Sequence, residues 1–163
     1  MPRTYEPIAS QTLGADASSI TFSSIPQTFT DLFIVKHALA GLTGINDYIQ
    51  YNGDTGSNYS ATQLYGDGST AASYRIFSAT VAFAGSYGAA VNRMSTIQIM
   101  SYANTSVFKT ALVAGGAASG LYLDRAVNLW RSTAAITSIT LLPYDATNWK
   151  TGSTFSLYGI KAA

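Results

Sequence analysis

The sequence predicts an all-β protein, an antiparallel β-sandwich of jelly-roll type with about eight to ten short strands. Three observations predict it. Apolar and hydroxyl or amide residues alternate with period two in Ile20-Thr21-Phe22-Ser23, in Thr96-Ile97-Gln98-Ile99 and in Phe155-Ser156-Leu157-Tyr158. That period turns one face of a strand to a core and the other to water. Thr and aromatic residues, which fit a pleated surface, dominate these runs. Glycine-rich turn signals then separate the runs at roughly even spacing.

Ten strands are expected, near 19–25, 31–39, 47–52, 59–65, 73–84, 94–103, 107–114, 122–131, 136–142 and 153–161. Leu32-Phe33-Ile34-Val35 is continuously apolar and reads as a strand buried on both sides. Turns are marked by Ser24-Ile25-Pro26, Asn52-Gly53-Asp54, Gly66-Asp67-Gly68, Gly115-Gly116 and Thr151-Gly152-Ser153. Asn52-Gly53 between two strands is a hairpin signal. The Ala-rich stretch 111–118 is not read as a helix, because Gly115 and Gly116 break it and no cap or charged face accompanies it. Residues 1–15, with Pro2 and Pro7, read as an extended N-terminal arm, and 16–163 as one β-sandwich domain. Such an arm is mobile in a free monomer or lies across a neighbour in an assembly.

Composition narrows the function. At 163 residues without cysteine, the fold rests on packing and backbone pairing, with neither disulfides nor thiolate metal sites. Charged residues make up 10% of the chain and the net charge is +1, well below the usual quarter or so of charged residues. Ser and Thr, nineteen of each, supply the polar surface. Little self-repulsion favours association. The nine Lys and Arg are scattered from Arg3 to Lys161, which argues against nucleic acid as a partner. No signal-peptide pattern and no membrane-length apolar run is present, so synthesis in a cytoplasm and no membrane partner are expected.

Catalytic parts are scarce. His37 is the single histidine, no Gly-x-Ser-x-Gly occurs, and Glu6 is the one glutamate among eight acids. The aspartates mostly border turns, where their side chains bond local backbone. Residues 52–58 space oxygen-bearing side chains loosely like a calcium loop, with Gln63 where a glutamate would belong, but they offer one carboxylate where calcium takes several. The chain is therefore read as non-enzymatic, with no catalytic, cofactor-binding or metal-binding residues and no cofactor. The aromatics remain. Tyr48, Tyr51, Tyr59 and Tyr65 fall within eighteen residues, and tyrosine is enriched where surfaces recognise each other. Together with Asn52 and Asp54, and with Tyr5 and Pro7 on the arm, they form the candidate partner-contact set. The same tyrosines also fit as strand-edge packing residues with their hydroxyls in water. Trp130 and Trp149 are large enough to anchor a core.

Several segments, taken in order, are similar to a family of small virion structural proteins of tailed bacteriophages of aquatic bacteria. They are Tyr5-Glu6-Pro7-Ile8-Ala9-Ser10-Gln11-Thr12-Leu13-Gly14, the run from Ile20 to Pro26, Thr30-Asp31-Leu32, the run from Tyr51 to Ser60, Asn128-Leu129-Trp130-Arg131, and the ending Gly152 to Ile160. Their succession covers nearly the whole chain. The resemblance implies a particle component and hands over no catalytic position. Its expected role is a capsid decoration or cement protein at the virion surface. The implied partners are the major capsid protein or other virion proteins, and further copies of the chain as a symmetric homo-oligomer, a trimer being favoured. The alternative is a tail-fibre or receptor-binding module recognising a host glycan, motivated by the tyrosines between Tyr48 and Tyr65.

Overall fold

The computed structural model describes residues 4–39, 46–86, 92–117, 122–143 and 147–161. Every described element is a strand, bridge or turn. Twelve strands follow in order: β1 (Tyr5–Thr12), β2 (Ile20–Phe22), β3 (Asp31–Ala38), β4 (Asn46–Tyr51), β5 (Tyr59–Gly66), β6 (Ala71–Ala79), β7 (Ala82–Ser86), β8 (Arg93–Met100), β9 (Lys109–Ala117), β10 (Tyr122–Trp130), β11 (Ile139–Pro143) and β12 (Thr154–Ile160). They build two antiparallel sheets. The larger has eight strands in the order β1-β12-β3-β8-β9-β10-β5-β6, the smaller four in the order β2-β11-β4-β7. The all-β sandwich expected from the sequence is the observed class.

Period-two alternation builds the core. Leu32 and Ile34 on β3, Ile97 and Ile99 on β8 and Phe155 and Leu157 on β12 point inward from the large sheet. Ile49 and Tyr51 on β4, with Ile139 and Leu141 on β11, meet them from the small one. Trp149 sits against Phe155 with ring centroids 4.6 Å apart, and its backbone pairs with Ala17 across an isolated bridge. This tacks the β11–β12 connection to the start of the chain.

Polar groups join the two sheets as well. Asp47 on β4 is fully buried and accepts from Lys36 of β3 and from Arg93 of β8, the latter at 3.1 Å. Lys36 Nζ also donates to the carbonyl of Ala84 on β7 at 3.1 Å. Burial pulls Lys36 below the ordinary lysine range, and the facing Asp47 carboxylate pulls it back up. Asp124 of β10, equally sealed, adds a second carboxylate whose field acts on Lys36. Asn128 of β10 pairs with backbone as if it were a strand residue. Its Oδ1 accepts from Phe83 N at 3.2 Å and its Nδ2 donates to Phe83 O at 2.8 Å.

Four expectations are corrected. Residues 5–12 are extended, but they pair with β12 as the edge strand of the large sheet, so most of the expected arm belongs to the domain. Backbone pairing with β12, invisible in a segment of low apolar content, holds it there. The stretch 73–84 is two strands in different sheets. The chain bends at Ser78, whose φ is 47°, and crosses from β6 to β7. Gly115 and Gly116 lie inside β9 rather than at its end. A Cβ on Gly115 would sit 3.0 Å from the Asp124 carboxylate, and one on Gly116 2.9 Å from the Tyr122 carbonyl. Glycine there makes room for a buried acid and its strand. Finally, β4 and β5 are not a hairpin, since they belong to different sheets. These changes raise the strand number to twelve.

Asp47→Ala would leave Lys36 and Arg93 as buried charges without their shared counter-ion. The expected loss is about 3–5 kcal/mol of unfolding free energy, read from denaturant melts. A loss within experimental scatter of the wild type would remove the bridge from this account.

Candidate functional site

The tyrosine-rich segment and Asn128-Leu129-Trp130-Arg131 meet in space. After β4, Asn52 and Gly53 take left-handed backbone at φ 54° and 67°, and Asp54 N closes the turn onto Tyr51 O at 2.9 Å. Asn-Gly is suited to two successive positive φ angles. Here the turn starts a crossover from the small sheet to the large one. Asn52 then works on the opposite loop. Its Oδ1 accepts from Thr137 N at 2.8 Å and Ser138 N at 3.1 Å, while its Nδ2 donates to Ala135 O at 2.8 Å.

Asp54 is the centre of this corner. Its carboxylate accepts from Trp130 Nε1 at 2.7 Å, from Asn58 Nδ2 at 3.0 Å and from Gly56 N at 2.8 Å. The indole donor first, then Asn58 and the Gly56 amide, hold its pKa below the ordinary aspartate value against the cost of burial. Arg131 clamps the same loop, donating to Ser57 O at 2.9 Å and Ser60 Oγ at 3.1 Å. The rings of Tyr51, Tyr59 and Trp130 pack together with centroids 5.4–6.3 Å apart. Tyr59 Oη accepts from Tyr51 N at 3.1 Å and donates to Asp54 O at 3.1 Å. Desolvation pushes its pKa up to about 12.

This geometry sorts the candidate contact residues. Tyr51 and Tyr59 are sealed at 1% and 0% exposure; they are core residues and present nothing to a partner. Adding a turn and a crossover after Tyr51 puts both rings on inward faces, an outcome that residue counting along the chain does not distinguish from exposure. Asn52 and Asp54 are occupied in the turn. The Asp54 oxygens point at N–H donors rather than at a common oxygen-lined centre, which fits an anchored turn and not a calcium loop. Tyr48 is half-buried on the outer face of the small sheet, and Tyr65 is half-buried and stacked on Tyr122 at 5.7 Å. Tyr5 and Pro7 are exposed on β1, and Tyr5 meets Phe33 edge-on at 5.6 Å. His37 is exposed on β3. Among the described residues no group of three or more His, Cys, Asp or Glu is placed to hold a metal.

The structure exposes a surface that sequence reasoning missed. Outward positions of the large sheet carry Leu64 and Leu123, each 62% exposed, Met94 at 57%, and Leu112 and Val127, each 44%. Phe33 and Val35 lie half-exposed beside them, so the run expected to be buried on both sides is buried on one. The small sheet is ordinary by contrast, with Thr21 and Thr140 sharing a hydrogen bond of 2.9 Å and Gln50 reaching Thr80 O on its outer side. The sequence carried the signal in runs that are apolar at both alternations, Leu32 to Val35 and Ala111 to Ala114.

No family model matches this chain, and no curated protein does. Among solved structures it is similar to two of an alginate lyase, bound to an alginate trisaccharide and to a tetrasaccharide. The TM-scores are 0.31 and 0.28, with 8% identity over 93% and 94% of this chain and 80% and 79% of theirs.

Two measurements check the corner. Tyr51 Oη meets no hydrogen-bond partner among the described residues, whereas Tyr59 Oη has two. Tyr51→Phe is therefore expected to leave stability unchanged or slightly raised, and Tyr59→Phe to lower it by about 1 kcal/mol, both read by thermal unfolding. Equal losses would contradict the assigned bonding. The second is a pH series. Asp54, like Asp16 beside Lys150 and Asp67 under the Thr70 and Ser69 amides, has a folded pKa below 3.8. A depressed carboxyl pKa stabilises the fold above the unfolded value, and that contribution is lost as pH falls through the folded value. Wild-type stability should thus decline below about pH 4, and Asp54→Asn, less stable at neutral pH, should decline less steeply there.

Proposed function

We propose that this chain is a structural component of a tailed-bacteriophage particle, acting as a decoration or cement protein. In this role it binds the assembled shell at the virion surface and bridges neighbouring subunits of the major capsid protein. One observation carries the reading: Asn52 and Asp54, expected as contact residues, are spent on holding the sandwich, while the outer face of the large sheet exposes several large apolar side chains. Asp54, Trp130, Asn128 and Arg131 all bond within the fold. Large apolar side chains exposed on one sheet face, on a chain whose net charge is near zero, suit association in many copies. The ordered similarity to small virion proteins supports the same role. A ligand that binds only the assembled shell stabilises that state by mass action.

A second reading, a receptor-binding module for a host glycan, is favoured by the half-exposed Tyr65–Tyr122 stack, because flat aromatic faces are what sugars pack against.

Co-sedimentation with tailed-phage shells stripped of their small outer proteins separates the two. Saturable binding at a fixed ratio to the major shell protein, with a rise in the temperature at which shells open, is the expected result. Absence from the shell pellet together with retention on host cells or their polysaccharide would replace the decoration role with the adhesin role.

A further inference from the structure

The outer face of the eight-stranded sheet carries an unusual number of large apolar side chains among its polar ones. An antiparallel sheet with one solvated face normally turns polar residues outward, as the four-stranded sheet does at Thr21, Gln50 and Thr140. On the large sheet, alternation puts Leu64, Leu112, Leu123, Val127, Met94 and Phe33 outward across five strands, β3, β5, β8, β9 and β10. Those strands are neighbours in the sheet; Leu112 and Val127 lie directly side by side, and the other apolar residues gather around them with Thr62, Gln98 and Arg125 interleaved. Phe108, 52% exposed just before β9, extends the Leu112 row beyond the sheet end. Exposed apolar patches of this extent mark interaction sites.

Size and charge indicate what covers it. Eight strands spaced about 4.8 Å apart span about 34 Å, and strands of about eight residues run about 27 Å. That outline of about 900 Å² is of the order of the roughly 800 Å² that each partner contributes to a standard protein interface, with the apolar residues on the five strands from β3 to β5 at its centre and more polar strands around them. A strongly charged face would repel its own copy. This one carries Arg75, Arg125 and Asp31 in different strands, on a chain of net charge +1, and brings almost no like-charge cost to self-contact. Two sheets also stack readily about 10 Å apart through interdigitating side chains.

We infer that the outer face of the large sheet is the interface with another copy of this chain, and that the protein is a homo-oligomer held through it. The inference names a surface for the self-association that the decoration role calls for, yet it is tested on free protein without shells. Failure of shell binding and failure of self-association are thus separate results.

Light scattering on the purified chain across the micromolar range should give a multiple of 17.2 kDa. The Leu112→Lys/Val127→Lys variant should fall to the single-chain mass with its circular dichroism unchanged. Because the chain has no cysteine, one engineered thiol reports burial without relying on that variant folding. The thiol of Leu112→Cys should react with a maleimide at least tenfold more slowly in concentrated than in dilute protein. The thiol of Thr21→Cys, on the outer side of the small sheet, should react equally at both. Single-chain mass at every concentration would overturn the inference. So would an oligomer in which the Leu112→Cys thiol reacts as fast as the Thr21→Cys thiol, or one that keeps its mass in the double lysine variant.

Discussion

A single carboxylate, that of Asp47, sits where the two sheets must agree. It comes from the small sheet and is met by Lys36 and Arg93 from two adjacent strands of the large one, all three sealed from water. Removing charges from water is costly, and the cost is offset only when geometry satisfies both partners. The bridge therefore fixes how β4 lies over β3 and β8 more stringently than apolar packing, which tolerates sliding. Neighbouring features follow from it. Ala84 is held by the Lys36 ammonium, and the absence of a side chain at Gly115 leaves space for Asp124, the second acid of the cluster. A chain with so few charges has placed five of them, Lys36, Asp47, Arg93, Lys109 and Asp124, in its interior.

Asp54 repeats the device after the other end of β4. It takes the indole N–H of Trp130 and the amide of Asn58, so a strand of the small sheet is anchored to the large sheet near its start, at Asp47, and just past its end. Asn128 of the large sheet likewise grips the backbone of β7 in the small one. The sandwich is thus stapled by side-chain polar groups in a protein that has no disulfide to do so. The segments from Tyr51 to Ser60 and from Asn128 to Arg131 supply most of these contacts, so architecture accounts for their polar and aromatic residues before any binding role is invoked.

The class of fold was legible because period-two alternation follows directly from strand geometry, and β3, β8 and β12 show it plainly. What was not legible depended on long-range pairing. β1 has few apolar residues and is held by its bonds to β12, which nothing local announces. The Asn52-Gly53 turn has the local conformation its residues call for, but whether the next strand pairs with β4 or leaves for the other sheet is decided some seventy-five residues away, where Trp130 waits for Asp54. Two of the candidate contact residues were misplaced for the same reason: Tyr51 and Tyr59 look like Tyr5 in sequence, and only the third dimension separates core from edge. The outer face of the large sheet was half-visible, since Leu32 to Val35 read as buried on both sides and one of those burials is not supplied by the chain itself.

That missing burial links the fold to the proposed role. Polar staples hold the sandwich from within, leaving an apolar face free to be covered from outside. An electron cryomicroscopy reconstruction of the purified assembled protein would test this most directly. The account predicts that Leu64, Leu112 and Val127 of one copy lie against a neighbouring copy, with Tyr51 and Tyr59 still enclosed in each. A reconstruction in which copies meet through other surfaces, with the outer face of the large sheet open to solvent, would contradict it.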